Sequence, residues 1–197
     1  MHLNIQSLRT KLDLISIFNF NSPFRIDRVG RRGRRVAIYV RDGITAIERP
    51  DLSVNGVKAI WVDIKINRKT LLVGGFYRPS NSNNNHWNLI EHNFDQAVDD
   101  ILIAGDFNIN QTIPSNKLSN LIKSYNAHQL INNPTHFTEN SKSIINVIIL
   151  KHAHNAISSF VSDPISPALT IHHCSIACVL KFAKLKTNNY RRHIRQG

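Results

Sequence analysis

Asp106 and Asn108 close the run Ile101-Leu-Ile-Ala-Gly-Asp-Phe-Asn108, and their types and spacing suit chemistry. A carboxylate can take a proton, and a carboxamide can grip an oxygen. Two residues apart in extended chain, the pair points the same way. Such a pair suits hydrolysis of a phosphodiester. The apolar residues before it fit a strand covered on both faces. Gly105 and the polar side chains after it place the pair at the strand's end, where α/β sheets keep their sites. A strand closing in a plain polar turn would read alike, so the rest of the chain must decide.

Charge points the same way. The chain has 197 residues, with 25 Lys+Arg against 13 Asp+Glu and a net charge of +12 at pH 7. That excess favours a polyanionic partner, nucleic acid first and an anionic membrane surface second. Arg25, Arg28, Arg31, Arg32, Arg34, Arg35 and Arg41 crowd around Gly30 and Gly33. Basic side chains about a turn suit phosphate contact, with a solvated charged hairpin as the alternative.

The elements that must position these groups are read in chain order. Residues 1–6 read as a strand with Asn4 and Gln6 on one side, and Ser7 caps a helix from Leu8 to Phe18. Val36 to Val40 is strand-like. From 59 to 66, Val62, Ile64 and Ile66 alternate with Trp61, Asp63 and Lys65, a strand signature. Thr70 to Pro79 is a further strand that ends in Tyr77 and Arg78. Helical spacing runs from His86 to Asp100 through Trp87, Ile90, Phe94 and Val98, and again from Ser115, as cap, to Tyr125. Ile144 to Leu150 is apolar but interrupted by Asn146, and Ser158 to Ser166 and Cys174 to Phe182 are the last strands. Helices and strands mix without strict alternation, which predicts an α/β fold with a mixed sheet.

Hydrophobic content of 42% fits one folded domain, residues 1–185, followed by a basic tail, 186–197, that frays. Two cysteines cannot make a disulfide framework, so a reducing, intracellular compartment is expected. Met1 to Gln6 lacks the pattern of a secretory signal, and no apolar run nears the roughly 18 residues that span a bilayer.

Six segments fall in one order: Leu3-Asn-Ile-Gln-Ser-Leu8, Arg25 to Gly33, Gly75-Phe-Tyr-Arg-Pro79, Ile103-Ala-Gly-Asp-Phe-Asn108, Asn133-Pro-Thr-His-Phe-Thr138 and His172-His-Cys-Ser-Ile176. The set resembles the endonuclease/exonuclease/phosphatase superfamily, most of all the endonuclease domain of jockey-like non-LTR retrotransposons. The resemblance implies a four-layer α/β sandwich, with two mixed sheets face to face and helices outside. It implies phosphodiester cleavage with a divalent metal, magnesium or manganese, and a water nucleophile. By position, Asp106 would orient or deprotonate the water and Asn108 would help hold the phosphate. Tyr77 would meet the scissile phosphate, and His173 would donate to a phosphate oxygen. Asn4 and His172 fall at metal-site positions. Arg78, Arg31, Arg32, Arg34 and Arg35 would hold the DNA backbone. The implied partners are DNA and a reverse transcriptase domain in the parent element. The implied setting is a nuclear monomer without a membrane.

The sequence also departs from that pattern. A Glu-bearing strand after the first helix is missing, since the helix runs straight into Asn21-Ser-Pro-Phe-Arg25. The aspartate that pairs with the catalytic histidine falls at Asn146, and that of the Ser-Asp-His triplet falls at His172. Magnesium wants hard oxygen ligands, so its site should be severely weakened; manganese or zinc tolerates His172 better. By analogy with Asp-to-Asn in serine proteases, Asn146 alone would cost about 10⁴-fold in rate. The sequence therefore reads as a degenerate or truncated copy with impaired cleavage, or as an incomplete gene model. A non-catalytic nucleic-acid-binding remnant is the alternative. A zinc site from His172, His173, Cys174 and Cys178 would need distorted backbone, and buried core thiols fit better. His152 and His154 read as surface residues.

Overall fold

The computed structural model describes residues 19–26, 36–66, 69–97, 100–164 and 172–181. The expected first strand and helix, with Asn4 and Gln6, lie outside these residues. So do Arg31, Arg32, Arg34, Arg35 and the tail.

Twelve strands and two helices follow in order among the described residues. Strands β1 (Phe24–Ile26) and β2 (Val36–Ile38) form an antiparallel pair. Next come β3 (Thr45–Glu48), β4 (Lys58–Ile66), β5 (Lys69–Tyr77), helix α1 (Asn84–Asp95) and β6 (Ile101–Asp106). Helix α2 (Lys117–Ser124) precedes β7 (His128–Gln129), β8 (His136–Phe137), β9 (Lys142–Ser143) and β10 (Asn146–Leu150). The last two strands are β11 (Ala156–Pro164) and β12 (His172–Leu180).

A six-stranded sheet runs β3-β4-β5-β6-β10-β7, and a four-stranded sheet runs β11-β12-β8-β9. The fold is α/β, as expected. The larger sheet is mixed, because β5 and β6 are parallel while its other pairs are antiparallel. The smaller sheet is antiparallel throughout its described strands. A parallel pair cannot be closed by a tight turn, and α1 supplies the crossover from β5 to β6.

Alternation on β4 is real, but both faces meet apolar neighbours. Ile60 and Val62 pack with Val36, Ile38 and Tyr77, while Ala59 and Trp61 belong to the main core. There Phe76 is the hub, edge-on to Trp61 at 5.3 Å and to Phe94 of α1 at 5.6 Å, and stacked on Phe107 at 5.6 Å. Trp61 Nε1 donates to the buried Asn93 of α1 at 2.9 Å, which fixes the helix against the sheet. Leu118, Leu121 and Ile122 of α2 and Ile176 of β12 join the same core.

Two helix boundaries differ from the sequence reading. Helix α1 starts two residues early because the Asn83 side chain accepts from His86 N, and it ends at Asp95. Helix α2 is capped by Asn116, which accepts from Ser119 N. Ser115 sits at φ 55, a left-handed conformation outside the extended range of a cap residue.

Gly105 marks a close approach, not a hinge. A Cβ there would run into the carbonyl oxygen and side chain of Phe76 on the paired strand. Gly105→Ala should therefore lower the unfolding free energy by roughly 3 kcal/mol, because a packed backbone cannot retreat. Urea denaturation checks this. An unchanged midpoint would mean that β5 and β6 are not paired in this register.

Candidate functional site

Strand register assembles the site. Lys58, Tyr77, Asp106 and Asn146 are successive partners across β4, β5, β6 and β10. Directly paired residues lean to the same face, so their side chains form one row across the sheet. Asp106 and Asn146 are buried, at 5% and 1% exposure. The ammonium of Lys58 lies over the Tyr77 ring at 5.6 Å. Asn146 is therefore the first residue of β10 and no interruption of it.

Beyond Asp106 the chain turns. Asn108 takes φ 48, a left-handed conformation that asparagine tolerates better than most residues. Its backbone N–H donates to Asp106 Oδ1 at 3.0 Å, and its side-chain Nδ2 donates to the Arg78 carbonyl at 2.8 Å. The sequence places Asp106 and Asn108 together by strand alternation, but the strand ends at Asp106. What unites them is this turn. One amide N–H of Asn108 is already engaged, which narrows its capacity to hold a phosphate.

His173 reaches the row from the second sheet. Its Nδ1 lies 3.5 Å from Asn146 Nδ2, which also donates to the Cys174 carbonyl at 3.4 Å. An amide N–H aimed at Nδ1 fits only the neutral ring with its proton on Nε2. That tautomer can donate to a phosphate oxygen and cannot act as a base there. Asn146 Oδ1 is buried without a partner among the described residues.

Thr135 and His136 were not singled out from sequence, although both lie in the Asn-Pro-Thr-His-Phe segment. The Thr135 hydroxyl accepts from Ile145 N at 3.1 Å and Asn146 N at 3.0 Å, while its carbonyl accepts from Cys174 N at 2.8 Å. One residue thus ties β10 to β12. His136 pairs with His173 across β8 and β12, with ring centroids 4.6 Å apart.

Other expected positions fare differently. Arg78, expected on the DNA backbone, is only 8% exposed, and its guanidinium donates to the carbonyls of Phe107, Asn108 and Ser82. Its guanidinium is thus turned toward carbonyls of the fold itself. His172, expected at the metal site, pairs with Phe137 and stacks on its ring at 5.0 Å. Consecutive strand residues lean to opposite faces, so His172 is turned away from the side of His173.

Asn4 lies outside the described residues. Among the described residues no group of three or more His, Cys, Asp or Glu could hold a metal ion. The row offers one carboxylate, one ammonium and two neutral groups, a poor match to the oxygen cage that magnesium needs. Cys174 is buried and Cys178 packs against the core, and burial pushes both thiols up, which suits core residues better than zinc ligands. His152 and His154 are exposed as expected, His152 beside the Asp100 carboxylate at 2.9 Å.

Among solved structures the chain is similar to the endonuclease domain of TRAS1, a telomere-specific non-LTR retrotransposon. Identity is 16% over 83% of this chain and 81% of that chain, with a TM-score of 0.68. It is also similar to an endonuclease/exonuclease/phosphatase family protein from Leptotrichia buccalis C-1013-b, with 11% identity over 89% and 76% of the two chains and a TM-score of 0.59. The endonuclease/exonuclease/phosphatase from Bacteroides vulgatus matches at 12% identity over 87% and 79%, with a TM-score of 0.59. No family model and no curated protein matches the chain by sequence.

Burial, followed by the neighbouring His136 and His172, lowers the pKa of His173 from 6.5 to about 4. The unfolded chain therefore binds this proton more readily than the folded one. The contribution of His173 to stability is complete above pH 6.5 and is lost as pH falls toward 4. Urea melts across this window should show wild type losing stability more steeply than His173→Gln. Parallel profiles would mean that the ring is solvated.

Proposed function

We propose, from the endonuclease/exonuclease/phosphatase fold of this chain, a DNA-directed phosphodiesterase of the retrotransposon-endonuclease kind in which cleavage is impaired. The observation that carries this reading is the place of Asn146, between Asp106 in the sheet and His173 across from it. In the proposed reaction Asp106 draws a proton from the attacking water, the water oxygen bonds to phosphorus as the phosphorus–oxygen ester bond breaks, and the leaving oxygen takes a proton from solvent. The Nε2–H of His173 donates to a phosphate oxygen, where negative charge grows in the transition state. Tyr77, in register with Asp106, meets the phosphate or its leaving oxygen. Asn146 brings no negative charge to support an imidazolium at His173. With its pKa near 4, His173 stays neutral at pH 7 and cannot serve as an acid.

Magnesium or manganese belongs to this reading through the resemblance. Because the described donors do not make its cage, no step is assigned to it. The net charge of +12 supports DNA as the polyanion bound, with the retrotransposon setting drawn from the likeness to the TRAS1 domain. A reverse transcriptase elsewhere in the parent element and a nuclear, monomeric state are part of the same proposal.

Nicking of supercoiled plasmid with magnesium or manganese tests it. Wild type should nick slowly, and Asp106→Ala should abolish nicking. Asn146→Asp should raise the His173 pKa toward or above its ordinary value and speed nicking by about 10² to 10⁴, the scale seen when such a carboxylate is lost elsewhere. Tight, salt-sensitive DNA binding without nicking by either wild type or Asn146→Asp would establish the non-catalytic binder instead.

A further inference from the structure

We propose that Arg78 is a positioning residue for the Asp106–Asn108 turn and makes no contact with DNA, an inference that rests on reading Asp106 and Asn108 as working groups of the site. Arginine is seldom buried unless its donors are satisfied. Here the acceptors are backbone carbonyls on two loops: Phe107 at 3.1 Å and Asn108 at 3.4 Å from Nη1, and Ser82 at 3.4 Å from Nη2. The guanidinium lies over the Trp87 ring of α1 at 4.7 Å, which closes its other side.

The backbone completes the grip. Arg78 N donates to the Asp106 carbonyl at 2.8 Å, and Asn108 Nδ2 returns a bond to the Arg78 carbonyl at 2.8 Å. Residue 78 thus holds the chain at 106, 107 and 108, and this is the stretch in which Asn108 N–H meets the Asp106 carboxylate. A planar fork can span several carbonyls at once. A lysine ammonium carries its three donors on one strongly hydrated nitrogen and lacks that span. The Nε atom is buried without a partner among the described residues, so the side chain is held for what its Nη groups reach.

The test compares the full chain with Arg78→Lys and Arg78→Gln by nitrogen-15 NMR. Amide exchange at Asn108 should accelerate at least about tenfold in both variants and stay confined to the turn, since the opening is local. Affinity for a short DNA duplex at fixed salt should change less than about twofold, because no phosphate contact is lost. In the wild type, which needs no variant to fold, adding the duplex should leave the Arg78 side-chain N–H signals in place.

A duplex-induced shift of those signals would overturn the proposal, as would a tenfold loss of affinity with Asn108 exchange unchanged. Exchange rising equally along β5 and β6 would reduce Arg78 to a general structural role and refute the proposal too. Wild-type turn dynamics under Arg78→Lys would be equally fatal. The plasmid assay answers separately: a chain that binds DNA without nicking it refutes cleavage and leaves the Asn108 result intact.

Discussion

Everything at the site hangs on β6 being paired on both sides. Its parallel register with β5 sets Tyr77 beside Asp106, and its antiparallel register with β10 sets Asn146 on the other flank. A slip of one residue in either pairing would turn a side chain of the row to the opposite face. The apolar packing guards against that slip. Gly105 admits the Phe76 backbone where a Cβ would collide, and Phe76 is in turn wedged among Trp61, Phe94 and Phe107. The core that stabilises the sheet therefore also sets the positions of the chemical groups.

Neutral and cationic groups set the electrostatics of the described site. Among the described residues Arg78 is turned inside, its Nη groups on carbonyls rather than on a carboxylate, and burial pulls its pKa down. On the second sheet, His173 is half-buried beside His136, facing an amide N–H where a negative partner would stabilise its charged form. Neutral and cationic groups thus dominate the neighbourhood of Asp106. Among the described residues, such a surrounding favours a phosphate over a divalent cation.

Much of this was legible in the sequence, and the reasons differ by residue. Strands β4, β5 and β6 declare themselves through alternation and through apolar runs that end in polar residues. His173 falls in one of the ordered short segments, and Asn146 is marked by the resemblance those segments carry together. The direction of Arg78 was hidden, because a basic residue after a strand normally faces water and only the carbonyls of a distant turn draw it inward. His136 was hidden for a similar reason: its partner lies on another strand, and nothing local marks the meeting. The left-handed turn at Asn108 could have been suspected from asparagine's tolerance for it, yet strand alternation was the simpler rule and gave way where the strand stopped. Ser115 lost the capping role to Asn116 because its own backbone is left-handed.

The central claim is that residues from two sheets converge on the end of β6. Nuclear Overhauser contacts measured on the isotopically labelled wild-type chain test it most directly. Contacts from the His173 ring to the Asn146 side-chain amide and to the His136 ring are expected, together with contacts between the Asp106 backbone and those of Tyr77 and Asn146. A His173 ring with neither contact, or a β6 whose neighbours at Asp106 are other residues, would contradict the assembly and with it the function proposed for it.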